Sequence, residues 1–393
     1  MNLDISKPQK ADFVVLGGAS QGLLPILSRY SFCELDYRNS KLNLFALLHM
    51  FVHLGFSWRS YCISLLQLTQ AQVVITCIDS DALFYSLKHS LPEVTFISIQ
   101  NGIRGNITES PGGDLWTQLE RLRHQPPHVD FVATFGPAHS KQYKNQIQCE
   151  TLEIGSSRNN QFGVSRYTTP RTRPLIGFIS NFIPPHCKVY SNVSSSPITT
   201  HLGSRPIPAH LYFHAEVVVG RIVAEICASE AWEFRVAGKR SDDVVGEREF
   251  WGEICRPRPY MFFPRDTKSS SYEILDDCDL IVTIDSTLGY EMIARGTRVI
   301  FISERARILG GDEARQFAFG FPDDFPDEGL FWTNSTDLRH VLSMMRRVLT
   351  MSDLEWDLCS EFVRERLMVF DAGNTLLQQL ISNVATERAL MPI

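Results

Sequence analysis

The chain has 393 residues, 44% hydrophobic and 21% charged, with a net charge of −6. That length predicts two domains, and the composition predicts a soluble globular protein rather than a disordered or membrane-spanning one. The negative balance speaks against nucleic acid as a partner, and nine scattered cysteines without a C-x-x-C pair exclude a zinc ribbon or redox motif.

The polar first ten residues carry no secretory signal pattern, and several cysteines lie in apolar runs, so a reduced, cytoplasmic chain is expected. Val14 to Leu16 reads as a strand running into Gly17-Gly18-Ala19-Ser20-Gln21-Gly22. This loop is glycine-rich but lacks G-x-G-x-x-G spacing, which argues against a dinucleotide site. Phe32 to Leu35 is the second strand, and Leu42 to His53 and Trp58 to Leu68 are helices. The stretch Leu44 to Trp58 is broken by His49, His53, Gly55 and Ser57 and is too short and polar to span a bilayer. Its Leu44, Phe45 and Trp58 suit either a packed helix face or a surface for a membrane-apposed acceptor. Val73 to Ile78 is a strand leading to Asp79 and Asp81, followed by a helix from Ser80 to His89. Thr95 to Ile99 is a strand leading to Gln100, Asn101 and Arg104. Residues 103–127 form a polar insertion, and Phe131 to Phe135 and Glu150 to Ile154 complete the series. Such alternation of buried strands and helices predicts a doubly wound parallel sheet.

Composition shifts to Ser, Arg, Asn, Thr and Pro between Gly155 and Pro174, as a linker does. The expected plan is a first domain over 1–160, a linker over 161–174, a second domain over 175–370 and a C-terminal helix over 371–393. In the second domain Leu175 to Ser180 is a strand followed by Asn181. Residues 183–208 hold five prolines and predict a long loop. A helix runs from His214 to Ser229. Glu233 to Ala237 is a strand ending in Gly238-Lys239-Arg240, and Phe250 to Cys255 is a helix. Tyr260 to Phe263 is a short strand ending in Pro264-Arg265, with a short helix from Tyr272 to Leu275. Leu280 to Ile284 is a buried strand, and Asp285-Ser286-Thr287 supplies the N-cap of a helix carrying Gly289 and Glu291. Arg298 to Ile302 is the next strand, and from Ser335 the chain reads as helical to about Thr386.

Open α/β sheets bind ligands at the carboxyl ends of their strands. Hydroxyls and helix N–H groups at Ser286 and Thr287 suit phosphate, and Glu291 suits a ribose diol; simple capping explains the same residues. Lys239, Arg240 and Arg265 read either as cations for a phosphate leaving group or as exposed basic turns. Asp79 and Asp81 suit a catalytic base or a helix cap, and no third ligand beside them suggests a metal. Arg104 would grip an anionic group. His139, His186 and His214 are weaker candidates for a base, since most single histidines are structural or solvated.

Ser286-Thr287-Leu288-Gly289-Tyr290-Glu291 with Ala294-Arg295-Gly296 resembles the S-T-x-G-x-E element in the second Rossmann half of GT-B glycosyltransferases. Asp79 to Tyr85, Ile99 to Gly105 and Phe370 to Asn374 resemble bacterial surface-polysaccharide biosynthesis proteins near the capsule and Kdo-type transferases. The resemblance implies an α/β fold of two Rossmann-like doubly wound domains facing a cleft, with the C-terminal helix bracing the first. It implies a nucleotide-sugar donor held by Ser180, Asn181, Lys239, Arg240, Pro264, Arg265, Ser286, Thr287, Gly289 and Glu291. Gly18, Gln100, Asn101 and Arg104 would lie on the acceptor side, and Asp79 or Asp81 would take the proton. No cofactor and no metal follow from it. The donor would be a CMP-linked acidic sugar or a UDP sugar. The acceptor would be a growing surface polysaccharide or lipid-linked glycan, reached by peripheral association with the inner face of the membrane. A nucleotide-sugar 2-epimerase, a teichoic-acid-type polyol-phosphate transferase and a non-catalytic glycan- or nucleotide-binding partner are the alternatives.

Overall fold

Two six-stranded parallel sheets organise the chain in the computed structural model. It describes residues 2–18, 22–35, 41–108, 114–122, 125–164, 171–182, 199–202, 205–241, 246–265 and 270–392. The chain divides into two units. The first comprises Met1–Arg104, Leu115–Gln161 and Val369–Ile393, and the second Gly105–Asp114 and Phe162–Met368.

The first sheet uses β1 (Phe13–Leu16), β2 (Phe32–Leu35), β3 (Val73–Thr76), β4 (Thr95–Ile99), β5 (His128–Thr134) and β6 (Gln148–Glu153), in the order β2-β1-β3-β4-β5-β6. β1, β3 and β4 are buried along their whole length. Side chains alternate between faces. Val14, Val74 and Phe96 join one core with Tyr143. Phe13, Val15, Ile75 and Ile97 join the other with Leu377, Ile381 and Val384 of the C-terminal helix Thr375–Glu387. That helix thus supplies one apolar face of the first sheet from the far end of the chain.

Helices α1 (Leu44–His53), α2 (Trp58–Thr69) and α3 (Pro137–Lys144) flank this unit. Asn43 caps α1 by accepting the Ala46 N–H at 3.1 Å. Ala46 and Met50 pack on Tyr61 and Leu65 of α2. The opposite face of α1 leaves Phe45, Leu48, Phe51 and Val52 in solvent. The helix expected over Ser80 to His89 is shorter. Asp81 accepts the Leu83 N–H at 3.1 Å and holds a turn, so α-helix forms only at Phe84–Leu87.

The second sheet uses β7 (Leu175–Ile179), β8 (Glu233–Ala237), β9 (Met261–Phe263), β10 (Leu280–Thr283), β11 (Val299–Ile302) and β12 (Trp332–Thr333), in the order β9-β8-β7-β10-β11-β12. α4 (Ala209–Ser229), α5 (Glu247–Cys255), α6 (Ser270–Asp276), α7 (Thr287–Ala294) and α8 (Glu304–Leu309) belong to this unit. The loop expected over 183–208 is corrected in its last part. Thr199–Leu202 and Arg205–Pro208 form an antiparallel hairpin, and residues 183–198 lie outside the described residues. Ile107–Thr108 pairs with the hairpin's Thr199–Leu202 strand, which draws residues 105–114 into the second unit. The C-terminal helical run is broken between Leu338–Thr350 and Asp353–Arg366, where Ser352 and Glu355 form a capping box.

Candidate functional site

In the second sheet the chain starts at β7, moves outward through β8 and β9, then returns to the other side of β7 as β10. The carboxyl ends of β7 and β10 therefore bound a topological switch point, the place where open α/β sheets hold ligands. Asn181 follows β7 and Asp285 follows β10. The Asn181 side-chain amide donates to Asp285 Oδ1 at 3.5 Å, a long contact bridging the two strand ends. Ser286, Thr287, Lys239, Arg240, Pro264 and Arg265 follow strands of the same sheet and are all partly exposed.

A buried layer lies behind this edge. Arg305 of α8 donates through Nη1 to both oxygens of Asp285 at 2.5 Å and through Nε to the Tyr212 carbonyl at 2.9 Å. Its guanidinium stacks 4.0 Å from the centre of the Tyr212 ring. Glu216, one turn further along α4, is fully buried and accepts the Asn181 backbone N–H. Glu216 Oε2 and Arg305 Nη2 are buried without a hydrogen-bond partner among the described residues. Burial pushes the Glu216 carboxyl up to about 7, against the pull of Arg305, the Asn181 N–H and Lys239.

The neighbouring carboxylate, Glu247 of α5, accepts the backbone N–H groups of Lys239 and Arg240, each at 2.9 Å. It also accepts the Ser180 hydroxyl at 2.6 Å. Trp251 Nε1 donates to that hydroxyl at 3.0 Å. Ser180 is thus buried beneath the edge and locks α5 to β7, which corrects its expected place on the donor surface. The N–H pair after β8 is taken by the chain's own carboxylate, so Lys239 and Arg240 offer only their side chains.

The element Ser286 to Glu291 divides its work. Ser286 is the N-cap of α7 by backbone geometry, but its side chain makes no capping bond, contrary to the capping expected of it. Gly289 is needed for packing. A Cβ there would come within 2.7 Å of Thr283 Cγ2 and 2.8 Å of Phe301 Cζ. It brings α7 onto the sheet and presents no side chain to a ligand. Glu291 is nearly buried and accepts the Tyr272 hydroxyl at 2.9 Å.

In the first unit the switch point lies between β1 and β3, at Gly17, Gly18 and the residues after Thr76. Gly17 and Gly18 both have positive φ, and a Cβ at Gly17 would come within 2.5 Å of Ile78 Cδ1. Asp79 is fully buried. Its carboxylate accepts Arg104 Nε at 2.7 Å and Nη2 at 2.5 Å, the Tyr143 hydroxyl at 2.5 Å and the Asn101 N–H at 3.1 Å. This ring of donors holds the carboxylate as an internal anchor and takes it away from an acceptor hydroxyl. Arg104 is likewise turned inward, and the Asp79 charge holds its guanidinium firmly protonated against burial. Asp81 differs. It is partly exposed, and burial raises its carboxyl to about 6. Gln100 is buried, accepting the Phe135 N–H at 2.8 Å and contacting His139 Nδ1 at 3.3 Å. Burial lowers His139 to about 3, so it is neutral and structural. Asn101 keeps an exposed position, His214 is exposed on α4, and His186 lies outside the described residues.

Over residues 97–385, from within β4 into the C-terminal helix, the chain matches the model of an O-antigen biosynthesis protein family. The chain belongs to that family. No curated protein matches it. Among solved structures this O-antigen biosynthesis family member is similar to the wall teichoic acid polymerase TagF, with a TM-score of 0.52 and 10% identity over 97% of this chain and 91% of that chain. Sucrose-phosphate synthase from Thermosynechococcus elongatus gives a TM-score of 0.51 and 11% identity over 98% of each chain. The UDP-GlcNAc 2-epimerase from Neisseria meningitidis, bound to UDP-GlcNAc, gives 0.50 and 7% identity over 98% of this chain and 100% of that chain. At such identities the likeness is one of fold, the GT-B-like architecture of two Rossmann-like domains.

In this family member the sequence reading missed Glu216, Glu247 and Arg305 and took Asp285 only for a cap. Two of these left a signal. Glu216 is an acid directly before Val217-Val218-Val219 in a largely apolar helix, and Arg305 stands three residues past a strand end at a ligand-binding edge. Among the described residues no group of carboxylates, histidines and cysteines could hold a metal ion.

Proposed function

We propose that this O-antigen biosynthesis family member is a glycosyltransferase of GT-B type, moving a sugar from a nucleotide-activated donor to a surface polysaccharide or lipid-linked glycan. The observation that carries the reading is the second unit's switch point. There Asn181 and Asp285 bridge β7 and β10, the Ser286 side chain is not spent on capping α7, and Lys239, Arg240 and Arg265 line the same edge. Cations and a helix N-terminus at a strand edge stabilise a departing phosphate. Glu291, beside Tyr272, is the proposed ribose contact. Asp81 replaces Asp79 as the first-unit carboxylate suited to take a proton from the acceptor, because it retains a partly exposed, titratable group.

The acceptor side is proposed to work against the cytoplasmic face of a membrane. No helix among the described residues is long and apolar enough to cross one. Phe51 and Phe56 are 76% and 86% exposed on α1 and the turn after it, which supports surface contact rather than a span. The fold shared with a 2-epimerase keeps that activity as the second reading. Calorimetric titration of the purified protein with UDP, UDP-N-acetylglucosamine, CMP and CDP-glycerol tests the donor site. One of them should bind, and Asp285→Ala and Glu291→Ala should each weaken it. If none binds, the reading fails. Epimer formation without any acceptor would favour the epimerase.

A further inference from the structure

We propose that Glu216 and Arg305 are positioning residues that hold Asn181 and Asp285 in register to read the donor, and that donor binding is linked to protonation of Glu216. The inference rests on the donor-site reading above and assigns to that site a control it did not contain.

The geometry is a closed polar circuit. Tyr212 and Glu216 lie one turn apart on α4. The first gives its carbonyl to Arg305, and the second accepts the Asn181 N–H. Arg305 holds both oxygens of Asp285, and Asp285 meets the Asn181 amide. One helix thereby fixes the two residues that stand on opposite sides of the switch point. The buried members do the holding, and the partly exposed Asn181 and Asp285 are left to meet a ligand. Such second-layer support is what keeps a binding group within a fraction of an ångström of its working position.

The charges explain the proton. From α8 Glu216 faces Arg305, from beyond β10 Asp285, from beyond β8 Lys239, and from beyond β7 the Asn181 N–H. Glu247, whose carboxyl is also raised by burial, lies behind Lys239. Glu216 uses one oxygen on Asn181, and the other has no partner among the described residues. An ionised Glu216 therefore carries an incompletely solvated charge. A pyrophosphate diester at this edge adds negative charge beside it and favours the neutral acid. Neutral Glu216 still accepts the Asn181 N–H, so the circuit survives protonation.

The test is calorimetric affinity for UDP-N-acetylglucosamine and for CDP-glycerol between about pH 6 and 8, where a pyrophosphate diester does not itself titrate, for the full chain and its Glu216→Gln and Glu216→Ala variants. For whichever donor binds, wild-type affinity should weaken as pH rises, by up to about tenfold per unit of linked pKa shift. Glu216→Gln, a permanently neutral isostere, should bind as the wild type does at low pH and lose the pH dependence. Glu216→Ala should bind more weakly at every pH. A wild-type pH slope that persists in Glu216→Gln overturns the proton linkage, and Glu216→Ala binding as wild type overturns the positioning role. Absence of binding by the wild type to either compound, and to their nucleotides, overturns the donor reading and this inference with it. Arg305→Lys, which keeps the charge but lacks the second nitrogen that holds the Tyr212 carbonyl while the first holds Asp285, should cut affinity without moving the pH slope.

Discussion

Arg104 closes on Asp79 with two nitrogens, Nε at 2.7 Å and Nη2 at 2.5 Å, and Tyr143 completes the enclosure at 2.5 Å. Asp79 is fully buried and Arg104 largely so. Removing one partner of such a pair leaves the other charge stranded, which costs about 3–5 kcal/mol. Asp79→Ala should therefore lower the unfolding free energy by roughly that amount in urea titration. Donor affinity in the folded fraction should be unchanged, because Asp79 belongs to the other unit. A variant as stable as the wild type but unable to transfer would return Asp79 to the chemistry.

Asp81 carries the opposite expectation. Burial raises its carboxyl to about 6, and a base must be ionised to act. The transfer rate at saturating donor should rise as pH climbs through about 6 and level off above it. Asp81→Asn should lose about 10²–10⁴-fold in turnover while binding donor normally. A variant retaining the wild-type rate and pH profile would mean that the proton goes elsewhere.

Glu216 also sets a stability trend. Its folded-state pKa, about 7, lies above the ordinary 4.5. Between those values the native state holds a proton that the unfolded chain has lost, so its contribution to stability is complete at low pH and declines as pH rises through about 7. The full span amounts to on the order of 3 kcal/mol. Glu216→Gln should flatten the fall in melting temperature over that window. An unchanged slope would show that Glu216 is solvated in the native state.

The central strands of both parallel sheets were legible because they are short β-branched runs, a local pattern that needs no partner to be recognised, whereas the edge strand Trp332–Thr333 was not read. Asn181, Lys239 and Ser286 were legible as strand-end residues for the same reason, since they sit where such runs stop. Which of them face outward was not legible. Ser180 and Asn181 are neighbours in sequence, yet Ser180 turns inward to Glu247 and Trp251. Asp79 and Asp81 look interchangeable on the page, but Arg104 and Tyr143 arrive from 25 and 64 residues away to enclose only the first. Glu216 and Arg305 become a unit only when α4 and α8 meet over the sheet. Long-range pairing of this kind leaves no periodic trace, and a prolonged Ser/Thr/Pro composition misled in the other direction, hiding the hairpin at 199–208.

The exposed face of α1 makes the last prediction. Phe45, Leu48, Phe51 and Val52 recur at helical spacing on the side away from Ala46 and Met50, and Phe56 stands in the turn that follows. The segment Leu44 to Trp58 contains no Asp, Glu, Lys or Arg, while exposed Lys7 and Lys10 follow the strand Asn2–Asp4 that pairs beside the start of α1. Since these side chains are already in solvent, Phe51→Asp with Phe56→Asp should leave melting temperature and donor affinity unchanged. The double variant should lose co-sedimentation with vesicles containing anionic phospholipid and slow transfer to a lipid-linked acceptor, but not to its water-soluble analogue. If both variant and wild type stay in the supernatant, the face does not meet a bilayer. A wild-type dimer by light scattering, dissociated by the same substitutions, would then identify a second copy as what covers it.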